Sequence, residues 1–341
     1  VAGEADPEGL LADLVARGAR RRTGLVAGVL RGGGRWVRGG GGRAGGAPPD
    51  GRSLLEVGSL TKTYTSLLLA DGVVRGDWRL DTPVRELLPA GTVVPSRGGV
   101  EITLEHLATH RSGLPRVPLP TVRGSWQMLR NRDPYAPLTT ELLLEQLAAT
   151  RLRRTPGTGG VGYSNTGVGL LGLALAHACG TSYGELLARR VTAPLGLHDT
   201  TTPDLLHAEQ RARVRPGHRR SGRPAPSWPM TAIPAAGALL STAEDVLSWL
   251  AVQLDPHEGP LSEAVALTQV PRVRGRRGGT GLGWMRLEGP HAAWWHNGGT
   301  GGYRCFATFV PEHRTAVVVL SSDARSVDLL GLWALRRLTG R

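Results

Sequence analysis

Strand-like sequence lies at the two ends of this chain and almost nowhere between them, and that distribution limits the folds open to it. Residues 25–33 and 35–40 read as a β-hairpin turned by Gly32 to Gly34. Near the other end, 281–287, 291–296, 303–310 and 315–322 are short apolar or aromatic runs separated by turn residues, and read as successive strands. Amphipathic helices are expected at 8–20 and 327–338, the first with Leu10, Leu11, Leu14 and Val15 on one stripe. Two distant blocks of strands are best satisfied by sharing a sheet. The expectation is an α+β fold: one antiparallel sheet flanked by terminal helices, with a mainly helical insertion beside it. The sheet unit takes 1–58 plus 234–341 and the helical unit 59–233, packed as a single body over 1–341.

In the middle, helices are expected from Ser59 to about Asp71 and near 103–109, 140–149, 166–178 and 182–191, with another at 242–253 opened by Ser241 and Thr242. The longest apolar run, Gly167 to Cys179, falls short of the roughly 18 residues a membrane span needs and reads as a buried helix. Residues 39–51 read as a glycine-rich loop, and 199–230 as a long irregular connection rich in Arg, Pro and Gly. Cys179 and Cys305 have neither metal-ligand spacing nor the look of a disulfide framework. The chain begins at Val1 with no signal region visible, and an extracytoplasmic location is favoured over a cytoplasmic one.

The net charge of +13 raises nucleic-acid binding as a function. The arginines are scattered, with clusters at 20–22, 211–220 and 272–277, and no aromatic stacking residues or reading module accompany them. A solvated basic surface is the reading, with no nucleic-acid partner. The cations carry a different message: 40 are Arg and one is Lys. A chain that uses Arg wherever a cation suffices has kept its one lysine for something Arg cannot do.

That lysine is Lys62, three residues after Ser59, where a helix begins. Positions i and i+3 share a helix face, so the amine can reach the hydroxyl. A serine hydroxyl becomes a nucleophile when a neighbour takes its proton, and a lysine does so when burial and nearby cations keep it neutral. Arg stays protonated and cannot substitute. A helix start also favours negative charge developing on a substrate oxygen. A second group, Gly162-Tyr163-Ser164-Asn165, precedes a helix. A Tyr163 phenol with its pKa lowered by cations would relay a proton, and Asn165 would donate to a substrate carbonyl and accept from Lys62. Ser and Asn are also ordinary helix caps. The third group, His296-Asn297-Gly298-Gly299-Thr300-Gly301-Gly302, ends an aromatic strand. Its glycines would let a substrate approach, and one exposed N–H would serve an oxyanion hole. It lacks the lysine of a phosphate-binding loop.

The three groups in this order resemble the family of class C β-lactamases, D-alanyl-D-alanine carboxypeptidases of the same fold and related esterases. The flanks of Ser59 from Glu56 to Thr65, the segments Asp81-Thr82-Pro83-Val84 and Ile102 to Pro115, Pro194-Leu195-Gly196-Leu197 and Ser241 to Asp245 resemble further stretches of that family, covering nearly the whole chain. The resemblance implies a β-lactamase/transpeptidase-like fold and a serine hydrolase working through an acyl-enzyme. Carried onto this sequence, it makes Ser59 the nucleophile, Lys62 its partner and Tyr163 the general base and acid. Asn165, His296, Gly298 and Gly299 would bind substrate, and the N–H groups of Ser59 and Gly299 would form the oxyanion hole. The substrate would be a small-molecule or peptide ester, amide or D-amino-acid peptide, with no cofactor and no metal. One departure is informative. Many β-lactamases of the family carry Lys-Thr-Gly where this chain has His296-Asn297-Gly298, which resembles the peptidase and esterase branches more closely.

Other readings compete at single positions. His106 and His110 have the i, i+4 spacing of a metal pair but no third ligand, and read as structural. No Gly-x-Ser-x-Gly elbow occurs. Trp294 and Trp295 would line a cleft or pack in the core. Side chains of 115–135 and 199–230 are expected to wall the cleft. Two alternatives to a hydrolase stand beside it: an acyltransferase of the same fold, and a penicillin-binding sensor that captures ligand without turnover.

Overall fold

The computed structural model describes residues 6–41, 47–118, 133–256, 258–275, 278–289 and 292–340. Helix α1 (Pro7–Ala19) opens at Asp6, whose carboxylate accepts from the N–H groups of Glu8 and Gly9, and it buries the predicted Leu10, Leu11, Leu14 and Val15. Strands β1 (Leu25–Arg31) and β2 (Gly34–Gly40) make the expected hairpin, turned by Gly32 and Gly33 at positive φ. Strand β3 (Leu55–Glu56) leads through a 3-10 turn, Gly58–Leu60, into α2 (Thr61–Val74). Helices α3 (Leu104–Ala108), α4 (Thr140–Ala148), α5 (Asn165–Ala178), α6 (Tyr183–Leu187) and α7 (Ala208–Arg213) follow. The chain then returns through β4 (Leu240–Ser241), α8 (Ala243–Leu254) and α9 (Ser262–Thr268). Strands β5 (Val273–Gly275), β6 (Gly278–Thr280), β7 (Met285–Leu287), β8 (Ala293–Gly299), β9 (Arg304–Val310) and β10 (Thr315–Ser321) precede the last helix, α10 (Asp328–Leu338).

Both ends of the chain do share one sheet. Eight strands stand in the order β2-β1-β10-β9-β8-β7-β6-β5, and all neighbours are antiparallel. The N-terminal β1 pairs with β10, Leu25 opposite Ser321 and Arg31 opposite Thr315. Alternation along these strands divides the core. Leu25, Ala27, Val29, Val317 and Val319 pack with α1 and α10, while Val26, Val318 and Leu320 pack with Leu247 and Leu250 of α8. Covered on both faces, β1 and β10 are apolar at nearly every position, and each such Leu or Val contributes about 1.5–3 kcal/mol of burial.

Some expected boundaries move. Strands β5 and β6 carry Arg and Gly without apolar alternation, and the expected strand at 281–287 begins only at Met285. Strand β8 continues beyond His296 into the glycine group, with Gly298 opposite Cys305 and Gly299 opposite Arg304, because ladder hydrogen bonds need no side chain. The predicted helix at 182–191 becomes a π-helical turn at Ala188–Thr192, and α7 lies inside the segment read as irregular. Trp294 is buried and the half-buried Trp295 stacks on Phe306, so both pack against the core.

Two packing features hold the start of α2 in place. Below it, Tyr64 stacks on Trp249 at 4.1 Å, and Trp249, Trp284 and Phe309 continue an aromatic column to the sheet. Beside it, β8 presses on the 3-10 turn. Gly58 has φ +53°, and a Cβ there would lie 2.5 Å from the Gly299 nitrogen; a Cβ on Gly298 would lie 1.9 Å from the Val57 carbonyl oxygen. The glycines of β8 therefore let the strand touch the turn. Gly298→Ala is expected to lower stability by about 1–3 kcal/mol and to reduce activity, read by thermal melting and ester turnover. An unchanged melting curve would contradict the contact.

Candidate active site

The 3-10 turn presents Ser59 at the head of α2, and Lys62 follows one turn later. Lys62 Nζ lies 3.0 Å from Ser59 Oγ and donates to the Ala236 carbonyl at 2.5 Å. Its side chain is completely buried and has no carboxylate partner among the described residues. Burial, with the Arg116 charge adding to it, pushes the Lys62 pKa well below that of a free lysine. The carbonyl that receives the amine belongs to the turn Pro234–Ala236. That turn seats directly on α5, where a Cβ on Gly172 would come 2.1 Å from the Ala235 Cβ. The buried apolar helix predicted over 166–178 thereby sets the position of the amine's second partner.

The N-terminus of α5 brings in the second group. Ser164 caps the helix, accepting from Gly167 N–H and donating to the Pro115 carbonyl at 2.6 Å. Tyr163, just before it, has Lys62 Nζ 5.0 Å and Arg116 Cζ 5.2 Å from its ring centre. The His110 ring lies 4.4 Å away and the His296 ring 6.3 Å away. Burial pushes the Tyr163 phenol up to about 12, against the downward pull of the Ser59 side chain and Arg116. The expectation of a lowered phenol pKa is thus corrected. The phenol loses most of its contact with water, and its cationic neighbours offset only part of that.

Asn165 does not reach Lys62 as expected. Its Nδ2 donates to the Tyr135 hydroxyl at 2.9 Å, and its buried Oδ1 has no partner among the described residues. His296 is buried on β8, and its pKa falls to about 3 through burial and the nearby Lys62 charge. Its Nδ1 lies 2.6 Å from the Asn297 carbonyl, which only accepts, so Nδ1 carries the proton and Nε2 is a bare acceptor. The Asn297 side chain turns away, donating to Asp328 at 3.0 Å. The amides of Ser59 and Gly299 lie on the two backbone segments that the glycine contacts press together.

A family model described as Beta-lactamase matches residues 9–341. The chain belongs to the β-lactamase family. It is 30% identical to the D-alanyl-D-alanine-carboxypeptidase/endopeptidase AmpH of Escherichia coli (strain K12), over 79% of this chain and 70% of that one. It is 28% identical to penicillin-binding protein 4 of Amycolatopsis lactamdurans, over 79% and 72%. Among solved structures, a class C β-lactamase from Rhodobacter sphaeroides superposes with a TM-score of 0.83 at 25% identity, covering 98% of this chain and 99% of that one. The β-lactamase family is one of serine hydrolases, and the fold expected from the sequence is the fold observed.

Around this candidate site of a β-lactamase-family chain stand several residues that the sequence does not single out. Arg116 and Tyr135 come from the segment expected to wall the cleft, of which 119–132 lies outside the described residues. Trp228, from the other expected wall, meets Tyr135 edge-on at 6.0 Å. Glu56 is buried beneath them, accepting from Ser227 Oγ and from Trp228 N–H at 3.1 Å. His106 and His110 have structural work: their Nδ1 atoms accept from the Thr103 and Ser164 N–H groups. Among the described residues no helix is long and apolar enough to cross a membrane.

The pKa shifts dictate pH behaviour. Lys62 is neutral above its lowered pKa, so if it takes the Ser59 proton, kcat/KM should fall as pH drops through that pKa, on a limb well below the free-lysine value. Tyr163 keeps its proton until about pH 12. Stability has the same sign: between the folded and free-lysine pKa values the unfolded chain binds the extra proton, so stability falls as pH falls there. Lys62→Met is expected to abolish turnover and to raise stability at neutral pH by about 1–2 kcal/mol. Urea unfolding checks it, and a less stable variant would refute the desolvation argument.

Proposed function

We propose that this protein hydrolyses an ester, amide or D-amino-acid peptide bond through an acyl-enzyme on Ser59, acting as a carboxypeptidase or esterase with weak β-lactamase activity. The observation that carries this reading is the buried Lys62 amine 3.0 Å from Ser59 Oγ, with no carboxylate among the described residues to hold it protonated. In the first step Ser59 Oγ attacks the substrate carbonyl while its proton passes to Lys62. The oxyanion is received by the N–H groups of Ser59 and Gly299. As the carbonyl re-forms, the leaving group departs with a proton relayed from Lys62 through the Tyr163 hydroxyl, which gives up its own proton as it takes the one from Lys62. Asn165 Oδ1, with no partner among the described residues, accepts from a substrate N–H. Water then attacks the acyl-enzyme by the same route in reverse.

The relatives named as a carboxypeptidase/endopeptidase and a penicillin-binding protein support the peptide and ester reading. Neutral His296 supports it as well, because it offers no permanent charge to the carboxylate of a β-lactam. Ser59→Ala is expected to lower ester turnover by at least about 10³-fold. Intact-mass analysis with a fluorophosphonate should show one adduct, at Ser59. Short-chain p-nitrophenyl esters should turn over faster than nitrocefin, and the reverse ranking would overturn the inference from His296. Full activity in Ser59→Ala would end the assignment.

A further inference from the structure

Most of the positive or protonatable groups around Ser59 are committed. Lys62 is buried between Ser59 Oγ and the Ala236 carbonyl. His296 presents only a lone pair, and His110 spends its Nδ1 on the Ser164 N–H inside the protein. Arg304 pairs with Gly299 across the ladder, but its Nη1 donates to the Thr300 and Tyr303 carbonyls at 2.6 Å. Arg154 donates to the Gly160 carbonyl at 2.8 Å.

Arg116 differs. Its guanidinium stands 5.2 Å from the centre of the Tyr163 ring, the residue is exposed, and no carboxylate pairs with it among the described residues. Its backbone is clamped: the Arg116 carbonyl accepts from Asn165 N–H at 2.7 Å, and the Pro115 carbonyl accepts from Ser164 Oγ at 2.6 Å. Two hydrogen bonds to the capped start of α5 thus hold the root of this side chain beside Tyr163. Its charge is felt at Lys62, His110 and Tyr163. The fork of a guanidinium matches a carboxylate in two parallel hydrogen bonds.

We propose that Arg116 is the anion-recognition residue of this cleft and that the preferred substrates carry a carboxylate that pairs with it. The proposal rests on Ser59 as the acylated nucleophile. Arg116 acts from the α5 side of the cleft, a different place from the strand position of His296, so the ranking of short-chain esters over nitrocefin is unaffected.

Two pairs of esters test this. One places a carboxylate on the acyl group: mono-4-nitrophenyl succinate and its methyl ester. The other places it on the leaving group: 4-carboxyphenyl acetate and its methyl ester. Arg116→Gln is expected to lower kcat/KM for the carboxylate member by about 10–100-fold relative to its neutral partner in at least one pair. Arg116→Lys should keep a larger share of that selectivity. Fluorophosphonate labelling of Ser59 reports that each variant is folded. Without any variant, the wild-type ratio of carboxylate to neutral rates should shrink as ionic strength rises. Equal loss on both members of both pairs, or a salt-insensitive ratio, overturns the role of Arg116. Absence of turnover on all four esters together with no label at Ser59 would instead overturn the nucleophile assignment.

Discussion

The site depends on keeping one amine out of water without giving it a carboxylate. Lys62 meets a hydroxyl and a carbonyl, and neither favours the charged form as an anion would. A buried ammonium in that setting is costly, so the neutral base is the form the fold prefers. The surrounding structure serves this condition. The aromatic column under Tyr64 fixes α2, the close approach of α5 to Pro234–Ala236 fixes the acceptor carbonyl, and the seal of β8 against the 3-10 turn excludes solvent from the side.

Once the amine is neutral, the roles of its neighbours follow. The Tyr163 phenol, pushed further up by burial, keeps its proton near neutrality. His296 is neutral for the same reason, reinforced by the adjacent amine. The exposed side of the cleft is where a permanent charge costs least, and Arg116 stands there.

Much of the architecture was legible because it rests on periodicity. The shared antiparallel sheet, the terminal helices and the buried α5 all come from apolar patterns that survive without knowledge of neighbours. Strands β5 and β6 were not legible, since Arg and Gly give no alternating signal and their partners are supplied by the sheet. Among the candidate site residues, the Ser59 and Lys62 pair was readable from spacing and from a lone lysine among arginines, and Tyr163 only through the resemblance to the family. Ala236 was not, because it acts through a backbone carbonyl that any residue could offer. Arg116 and Tyr135 are ordinary residues in a segment without periodicity, and only folding sets them beside Tyr163 and Asn165.

The sequence by itself determined which chemical groups were available: one amine, a serine three residues before it, a tyrosine ahead of a helix cap, and a histidine in place of a lysine. It also determined the sheet and helices that carry them, since those follow from local apolar pattern. The tertiary structure alone decided their protonation states and free atoms. Those depend on distances and solvent exclusion between segments far apart in the chain, where Ala236 meets Lys62 and Tyr135 takes the amide of Asn165.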